Sequence, residues 1–262
     1  MDVSIVIITW KMKNLLFALL NSLKAYSFGF CYELIIVDNF SNDGTIEMIE
    51  KQFPEAILIK NNENKGVAPA RNKGIQIAKG RYILILDADM EFVENSIEVM
   101  LKYMDQNKDV GLMGCKLTTQ TGELQYSCKR YPSLIALIAR RLNGFPLINL
   151  SKELKDHLME EWAHDSIQEV DYVIGACQLF RREVLEKIGF YDDRIFYGPE
   201  DIDYCLRVWH NGWRVVYAPI TRIIHHEQRI TKKSILSLIS LKHLIGIFYL
   251  YKKYKRKLSR SN

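Results

Sequence analysis

The run Arg81-Tyr82-Ile83-Leu84-Ile85-Leu86-Asp87-Ala88-Asp89 carries an apolar stretch straight into two carboxylates, with only the small Ala88 between them. Its apolar residues, two of them β-branched, read as a strand buried on both faces, as inside a parallel sheet. If the extended geometry continues, alternation puts Asp87 and Asp89 on the same side. Two like charges at the carboxyl edge of a sheet repel. A divalent cation that prefers oxygen ligands, Mg²⁺ or Mn²⁺, would offset them. The plainer alternative is that Asp87 caps the next turn and Asp89 is solvated.

Other acids and histidines stand at similar places. Asp38 ends the run Glu33–Asp38 and is suited to accept hydrogen bonds from a nucleobase imide or a ribose hydroxyl. An Asx cap is its structural alternative. Pro199 fits the first turn of a helix, and Glu200 and Asp201 there are favoured by exposed amides and the macrodipole. That alone can explain them, yet an Asp held this way has a depressed pKa and stays ionised. Such a group suits a base that takes a hydroxyl proton late. Asp203 and Arg207, at i and i+4, read as a structural ion pair. Asp171–Cys177 reads as a strand ending in small residues, so that a ligand can approach the backbone of Gly175 and Ala176. His225 and His226 follow an extended run and are candidate metal ligands, with a structural role as the alternative.

The elements that must position these groups alternate. Val3–Thr9, Glu33–Asp38, Ala56–Lys60 and the opening stretch read as strands. Lys13–Tyr26, Thr45–Phe53 and Val67–Ala78 read as helices. Such alternation implies an α/β fold with a Rossmann-like, largely parallel sheet flanked by helices. Ligands bind outside the carboxyl ends of such strands, so Thr9, Asp38, Asp87 and Asp89 should converge on one crevice. Thr9-Trp10-Lys11-Met12 holds neither G-x-G-x-x-G nor a P-loop, which argues against a dinucleotide oxidoreductase and a P-loop phosphotransferase. Residues 117–170 are least legible, with short helices expected at Ser133–Leu142 and Ser151–Glu161. Further on, Glu183–Ile188 reads as a helix, and Trp213–Tyr217 and Thr221–Ile224 as extended runs.

The net charge of +5 is unevenly placed. Residues 231–262 hold nine Lys and Arg and no acid, so residues 1–230 carry about −4. The body therefore does not read as nucleic-acid binding. Five scattered cysteines without a C-x-x-C pair suggest a reducing compartment and no zinc cluster. The N-terminal run reads as a first strand, not a signal peptide. Ser234–Tyr251 is too interrupted to span a bilayer. It reads as an amphipathic helix on an anionic inner leaflet, with Phe248, Tyr249, Tyr251 and Tyr254 at headgroup level. A helix packed on the body is the alternative.

The ordered set Asp38, Asn64-x-Gly66, Ala70-Arg71-Asn72-x-Gly74, Asp87-Ala88-Asp89, Gly175-Ala176-Cys177, Glu200-Asp201-x-Asp203 and His225 resembles the family 2 glycosyltransferases of GT-A fold. Within them it is similar to the bacterial rhamnosyltransferase-like branch that builds surface polysaccharides. The resemblance covers roughly residues 3–231. It implies an inverting, Mn²⁺- or Mg²⁺-dependent transfer from a nucleoside diphosphate sugar, dTDP-rhamnose or a UDP-hexose, to a saccharide hydroxyl. Asp38 and Thr9 would line the base pocket, with Arg71 near the base or diphosphate. Asp87, with Ala88 beside it, would reach the ribose or metal-bound water, and Asp89 the metal. Asp201 would be the base, with Glu200 positioning the acceptor beside Gly175 and Ala176. His225 matches the late metal-binding histidine, although the doublet leaves His226 open. Gln228-Arg229 replaces the usual residues after it, and Arg229 is a candidate contact to the diphosphate.

The chemistry agrees with this assignment. Glycosyl transfer needs a metal on the diphosphate and one base, without the second carboxylic acid of a glycosidase. A sugar nucleotidyltransferase would carry a glycine-rich basic loop after its first strand, which is missing here. A non-catalytic, membrane-associated sugar-binding scaffold would not need Asp87, Asp89, Asp201 and His225 intact. The expected organisation is a catalytic domain over 1–231, with a nucleotide-sugar half (1–116) and an acceptor half (117–231), then a basic helical tail over 232–262. The acceptor would be a saccharide, lipid-linked, met by a cytoplasmic enzyme peripheral to the inner face of the plasma membrane. The oligomeric state, a homodimer included, is left open.

Overall fold

β1 (Val3–Thr9) is buried along its whole length because both faces of its sheet are covered. Its side chains alternate: Val3, Ile5 and Ile7 join one apolar cluster, and Val6 and Ile8 the other. β4 (Tyr82–Asp87) repeats the pattern, with Leu84 and Leu86 on the first side and Ile83 and Ile85 on the second. Helices α1 (Lys13–Lys24), α2 (Thr45–Gln52) and α4 (Ser96–Gln106) cover the first side. Helices α3 (Val67–Ile77), α6 (Arg182–Ile188) and α7 (Glu200–His210) cover the second. The structure is a computed structural model describing residues 1–133, 136, 151–228, 238–255 and 258–260.

β2 (Tyr32–Asp38) and β3 (Ile57–Lys60) extend the sheet on one flank of β1 and β4 lies on the other, all parallel. β11 (Cys177–Arg181) runs antiparallel between β4 and β6 (Val110–Thr118). β12 (Arg214–His225) returns parallel to β6, and β5 (Met90–Phe92) pairs antiparallel with β12. The short β7 (Leu124–Gln125) and β9 (Gln168–Glu169) complete ten strands. β8 (Cys128–Lys129) and β10 (Tyr172–Val173) pair apart from this sheet, and α5 (Ser151–Leu158) follows β8 in sequence. The result is a mixed, mostly parallel sheet between helical layers, the α/β arrangement that the alternation of strands and helices implied. β11 lies between β4 and β6, so residues 1–116 and 117–231 share one sheet.

Three expected elements come out differently. Asp171–Cys177 is not one strand: β10 pairs with β8, the chain turns at Gly175-Ala176, and Cys177 onward joins β4. The runs Trp213–Tyr217 and Thr221–Ile224 are joined in β12, whose register against β6 slips between Ala218 and Arg222. Pro219 falls in that slip, where a residue without an N–H costs no ladder bond. Of the helix expected at Ser133–Leu142, only Ser133 and Ala136 are among the described residues.

The tail forms α8 (Leu238–Lys253), and it packs on the body. Ile247, Leu250 and Tyr251 are buried. Tyr249 and Lys253 donate to Asp192 at 2.7 and 2.8 Å, and Tyr254 donates to Asp203 at 2.9 Å. Tyr251 donates to the Pro132 carbonyl. Three of the four aromatics assigned to the headgroup level are thus turned inward, because buried or ionised acceptors on the body await their hydroxyls. Among the described residues no helix is long and apolar enough to cross a membrane.

Candidate active site

β1 and β2 deliver Thr9 and Asp38 as directly paired residues at the carboxyl edge of the sheet. Asp38 Oδ2 accepts the Ser41 amide at 2.9 Å, while Asp38 Oδ1 and Thr9 Oγ1 are buried without hydrogen-bond partners. Buried polar atoms are normally satisfied, so two orphans side by side mark a place for a ligand's donors. Asn39 frames this pocket by donating to Asn64 Oδ1 and to the Gly66 carbonyl, each at 3.0 Å.

The strand geometry does not continue through the acidic pair. β4 ends at Asp87, and Ala88-Asp89 form a turn, so alternation does not bring the two acids together. The turn does so instead, and both carboxylates bear on His225. Asp89 is buried, its Oδ1 has no hydrogen-bond partner, and it lies 3.5 Å from His225 Nε2. Gln125 holds His225 at two points. Its amide nitrogen donates to the His225 carbonyl at 2.8 Å, and its Oε1 faces Nδ1 at 2.7 Å. With Oε1 as acceptor, Nδ1 carries the proton and Nε2 is left to face Asp89. Burial disfavours a charged His225, but Asp89, Asp87 and Glu227 outweigh it and raise its pKa above the ordinary value. His226 instead points to Glu91, with Nε2 at 2.8 Å, which leaves His225 as the histidine at the crevice.

An orphaned carboxylate oxygen opposite an oriented imidazole fits a divalent cation. Among the described residues no group of three or more His, Cys, Asp or Glu side chains is arranged to hold one alone. A cation there would complete its coordination with oxygens from a bound ligand, as Mg²⁺ and Mn²⁺ do with phosphates.

Arg71, buried at the back of the crevice, joins the two halves of the site. It donates to Asp87 Oδ1 at 3.1 Å, to Glu200 Oε1 at 3.0 Å and to the Gly175 carbonyl at 2.8 Å. Its side chain is 2% exposed, and both of its terminal nitrogens are engaged by the protein. Its next neighbour Asn72 grips the Tyr191 backbone, donating to its carbonyl at 2.9 Å and accepting its amide at 3.0 Å. Gly175 and Ala176 serve the protein too. A Cβ at Gly175 would lie 2.8 Å from Arg71 Cζ, and the Ala176 carbonyl accepts the Asp87 amide at 3.0 Å. The close backbone approach expected here is made by Arg71.

Glu200 and Asp201 open α7 behind Pro199. Asp201 accepts the Gly175 amide at 3.2 Å and the Ile202 amide at 2.8 Å. Glu200 Oε2 accepts the Gly198 amide at 2.8 Å. Burial raises the pKa of Asp201, against the opposing pull of Lys129, Arg71 and those amides. The depressed value expected from the helix terminus is therefore reversed, because desolvation of a buried carboxylate outweighs the N-terminal amides. Burial likewise raises Glu200, to about 7. It also raises Asp87, Arg71 opposing and Asp89 adding to the rise. The ion pair of Asp203 and Arg207 forms as expected, at 2.9 Å.

Two residues near the site escaped sequence reasoning. Gln125 lies in a two-residue strand with no periodicity, and Lys129 is a buried lysine whose charge acts on Asp201. Neither belongs to a spaced motif. Arg229 lies outside the described residues.

Residues 4–189 match the family model described as "Glycosyl transferase family 2". The chain is 24% identical over 223 residues to an N-acetylglucosaminyl-diphospho-decaprenol L-rhamnosyltransferase of Mycobacterium tuberculosis, covering 80% of this chain and 71% of that protein. It is 29% identical over 229 residues to an O-antigen biosynthesis protein of Myxococcus xanthus, covering 86% of this chain but 17% of that protein. In fold it is similar to a mannosyltransferase of Pyrobaculum calidifontis solved with GDP-Man and Mn²⁺. The TM-score is 0.65 at 17% identity, over 98% of this chain and 64% of the other.

Proposed function

The chain belongs to glycosyl transferase family 2, and on that premise we propose that it moves a sugar from a nucleoside diphosphate sugar to a hydroxyl of a lipid-linked saccharide. The product would be a bacterial surface polysaccharide, assembled at the inner face of the plasma membrane by a peripheral enzyme. The observation that carries this reading is a set of three buried oxygens without hydrogen-bond partners: Thr9 Oγ1 and Asp38 Oδ1 at the ends of β1 and β2, and Asp89 Oδ1 in the turn after β4, 3.5 Å from His225 Nε2. The first two meet the donor groups of a nucleoside, and the third meets the cation of its diphosphate.

In this reading Asp89 and His225, with Asp87 beside them, would hold Mn²⁺ or Mg²⁺, which would supply positive charge against the departing diphosphate. Asp201 accepts the proton of the acceptor hydroxyl as that oxygen bonds to the anomeric carbon. The bond from that carbon to the diphosphate oxygen breaks on the opposite face, so the centre inverts. Glu200 steadies the acceptor, and Arg71 holds Glu200 and Asp87 at fixed separation. The Mycobacterium relative is named for a rhamnosyl transfer to a diphospholipid-linked sugar, which supports the acceptor class and makes dTDP-rhamnose the first donor to try, ahead of UDP-hexoses.

Thermal unfolding with dTDP-, UDP- and GDP-sugars, with and without Mn²⁺, tests the reading. A ligand at about a hundred times its Kd adds about 2.7 kcal/mol, which moves the midpoint visibly. A shift with one nucleotide class that EDTA abolishes is expected. No shift with any of them in Mn²⁺ would overturn the donor assignment.

A further inference from the structure

Helix α8 divides its surface in two. Gly246, Ile247, Leu250 and Tyr251 are buried against the body, while Leu241, Ile245 and Phe248 opposite them are 54%, 57% and 69% exposed. Spacings of four and three residues set these three in one row along the helix. The same spacing carries the row into Lys252, and Lys255, just past the end of α8 with φ +50°, is exposed as well. An apolar row ending in lysines has the form of a helix lying in a membrane interface.

We propose that this row is the surface by which the enzyme lies on an anionic lipid membrane. Leu241, Ile245 and Phe248 enter the acyl boundary, and Lys252 and Lys255 meet the lipid phosphates. Charge selects this occupant. The sequence holds no acid after Glu227, and residues 1–230 carry about −4. An anionic surface thus repels the body and attracts the tail, which fixes one orientation. A second copy packed row to row would bring together two tails of like charge, with no acid on either helix to answer them.

The orientation matters to the site. Lys242 of α8 lies 3.5 Å from the centre of the Phe196 ring, on the loop that leads into α7. Gly198 in that loop has φ +122° and lies so close to the His243 ring that a Cβ would collide with it. The Gly198 amide in turn holds Glu200. The helix that carries the membrane row is therefore packed on the approach to Glu200 and Asp201, and a lipid-linked acceptor arrives from that side. This last step rests on the reaction proposed above; the lipid contact does not.

The test is flotation of the full chain, without donor or acceptor, on vesicles of phosphatidylglycerol mixed equally with phosphatidylcholine, against phosphatidylcholine alone. The wild type should float with the anionic vesicles only. The Ile245→Ser/Phe248→Ser variant should bind at least about tenfold more weakly at an unchanged melting temperature, since the replaced groups are exposed. Lys252→Glu/Lys255→Glu should weaken binding as well. Wild-type chain that fails to float would overturn the proposal, as would a serine variant that floats unchanged. So would a serine variant that only converts a dimer to a monomer in light scattering. Transfer to a short-chain, water-soluble acceptor should be equal in wild type and serine variant. Its absence in both would count against the reaction and leave the flotation result standing.

Discussion

Arg71 and Glu200 stand 129 positions apart in the chain and are joined by a buried ion pair of 3.0 Å. The same guanidinium reaches Asp87, so one cation ties the end of β4 to the start of α7. Removing one partner of a buried pair costs about 3–5 kcal/mol, because the remaining charge stays dry and unanswered. Arg71→Met should lower the unfolding free energy by about that much, read as a lower urea midpoint at constant m-value. Arg71→Lys keeps the charge without the planar fork and should recover only part. A fully stable Arg71→Met protein would mean that Asp87 and Glu200 hold their places without it.

Asp201→Asn separates the base from the donor site. The carboxamide fills the same space but cannot take the acceptor proton, so kcat should fall by about 10²–10⁴. Donor affinity should stay within about twofold, because the Thr9, Asp38 and Asp89 oxygens are untouched. Steady-state kinetics together with calorimetric titration of the donor nucleotide check both halves. If Glu200→Gln gives the larger loss in kcat, the proton goes to Glu200 and Asp201 is the neighbour.

The contrast between Asp38 and Gln125 marks what the sequence made legible. Asp38, Asp87 and the Glu200-Asp201 pair each stand at the end of a strand or the start of a helix, where apolar periodicity and turn chemistry announce a boundary. Those boundaries emerged within a residue or two for most of the first six elements. Gln125 acts from a strand of two residues, set by pairing with Leu117 on β6 rather than by any local preference. Asp171–Cys177 misled for a related reason, since an apolar run does not say which sheet each half will join. The pKa of Asp201 was misjudged because the helix terminus is visible in sequence and burial is not. The tyrosines of α8 look alike in a periodic pattern, and only the positions of Asp192, Asp203 and Pro132 decide which way they turn.

Stability and activity should respond to pH in opposite directions. Glu200 is raised from 4.5 to about 7, so between those values the folded chain binds more protons than the unfolded one. Stability therefore falls as pH rises through that window. His225, also raised, adds a loss of the same sign as pH climbs past its unfolded value of 6.5 toward its folded one. Activity needs ionised Asp201, so kcat/KM should rise with pH, with its acid limb above the ordinary aspartate range. Urea unfolding of the metal-free protein at several pH values should give the falling slope, and Glu200→Gln should flatten the part that Glu200 contributes. A slope that survives the substitution intact would place the proton uptake elsewhere.

Gln125 offers a test of the metal site that leaves every proposed ligand in place. Its amide fixes the His225 ring at Nδ1 and the His225 backbone at the carbonyl, so the imidazole faces Asp89 in one orientation. Loss of such an orienting partner typically weakens metal affinity about 10–100-fold. Gln125→Leu keeps the bulk and removes both hydrogen bonds. In the presence of a nucleoside diphosphate, the affinity for Mn²⁺ followed by electron paramagnetic resonance should fall within that range. His225→Ala should fall at least as far, and the double variant no further than His225→Ala alone, because Gln125 reaches the cation only through His225. If Gln125→Leu binds Mn²⁺ as tightly as wild type while His225→Ala does not, the ring is oriented by Asp89 itself. If neither substitution changes Mn²⁺ binding, His225 is not a ligand and the cation rests on the aspartates and the diphosphate.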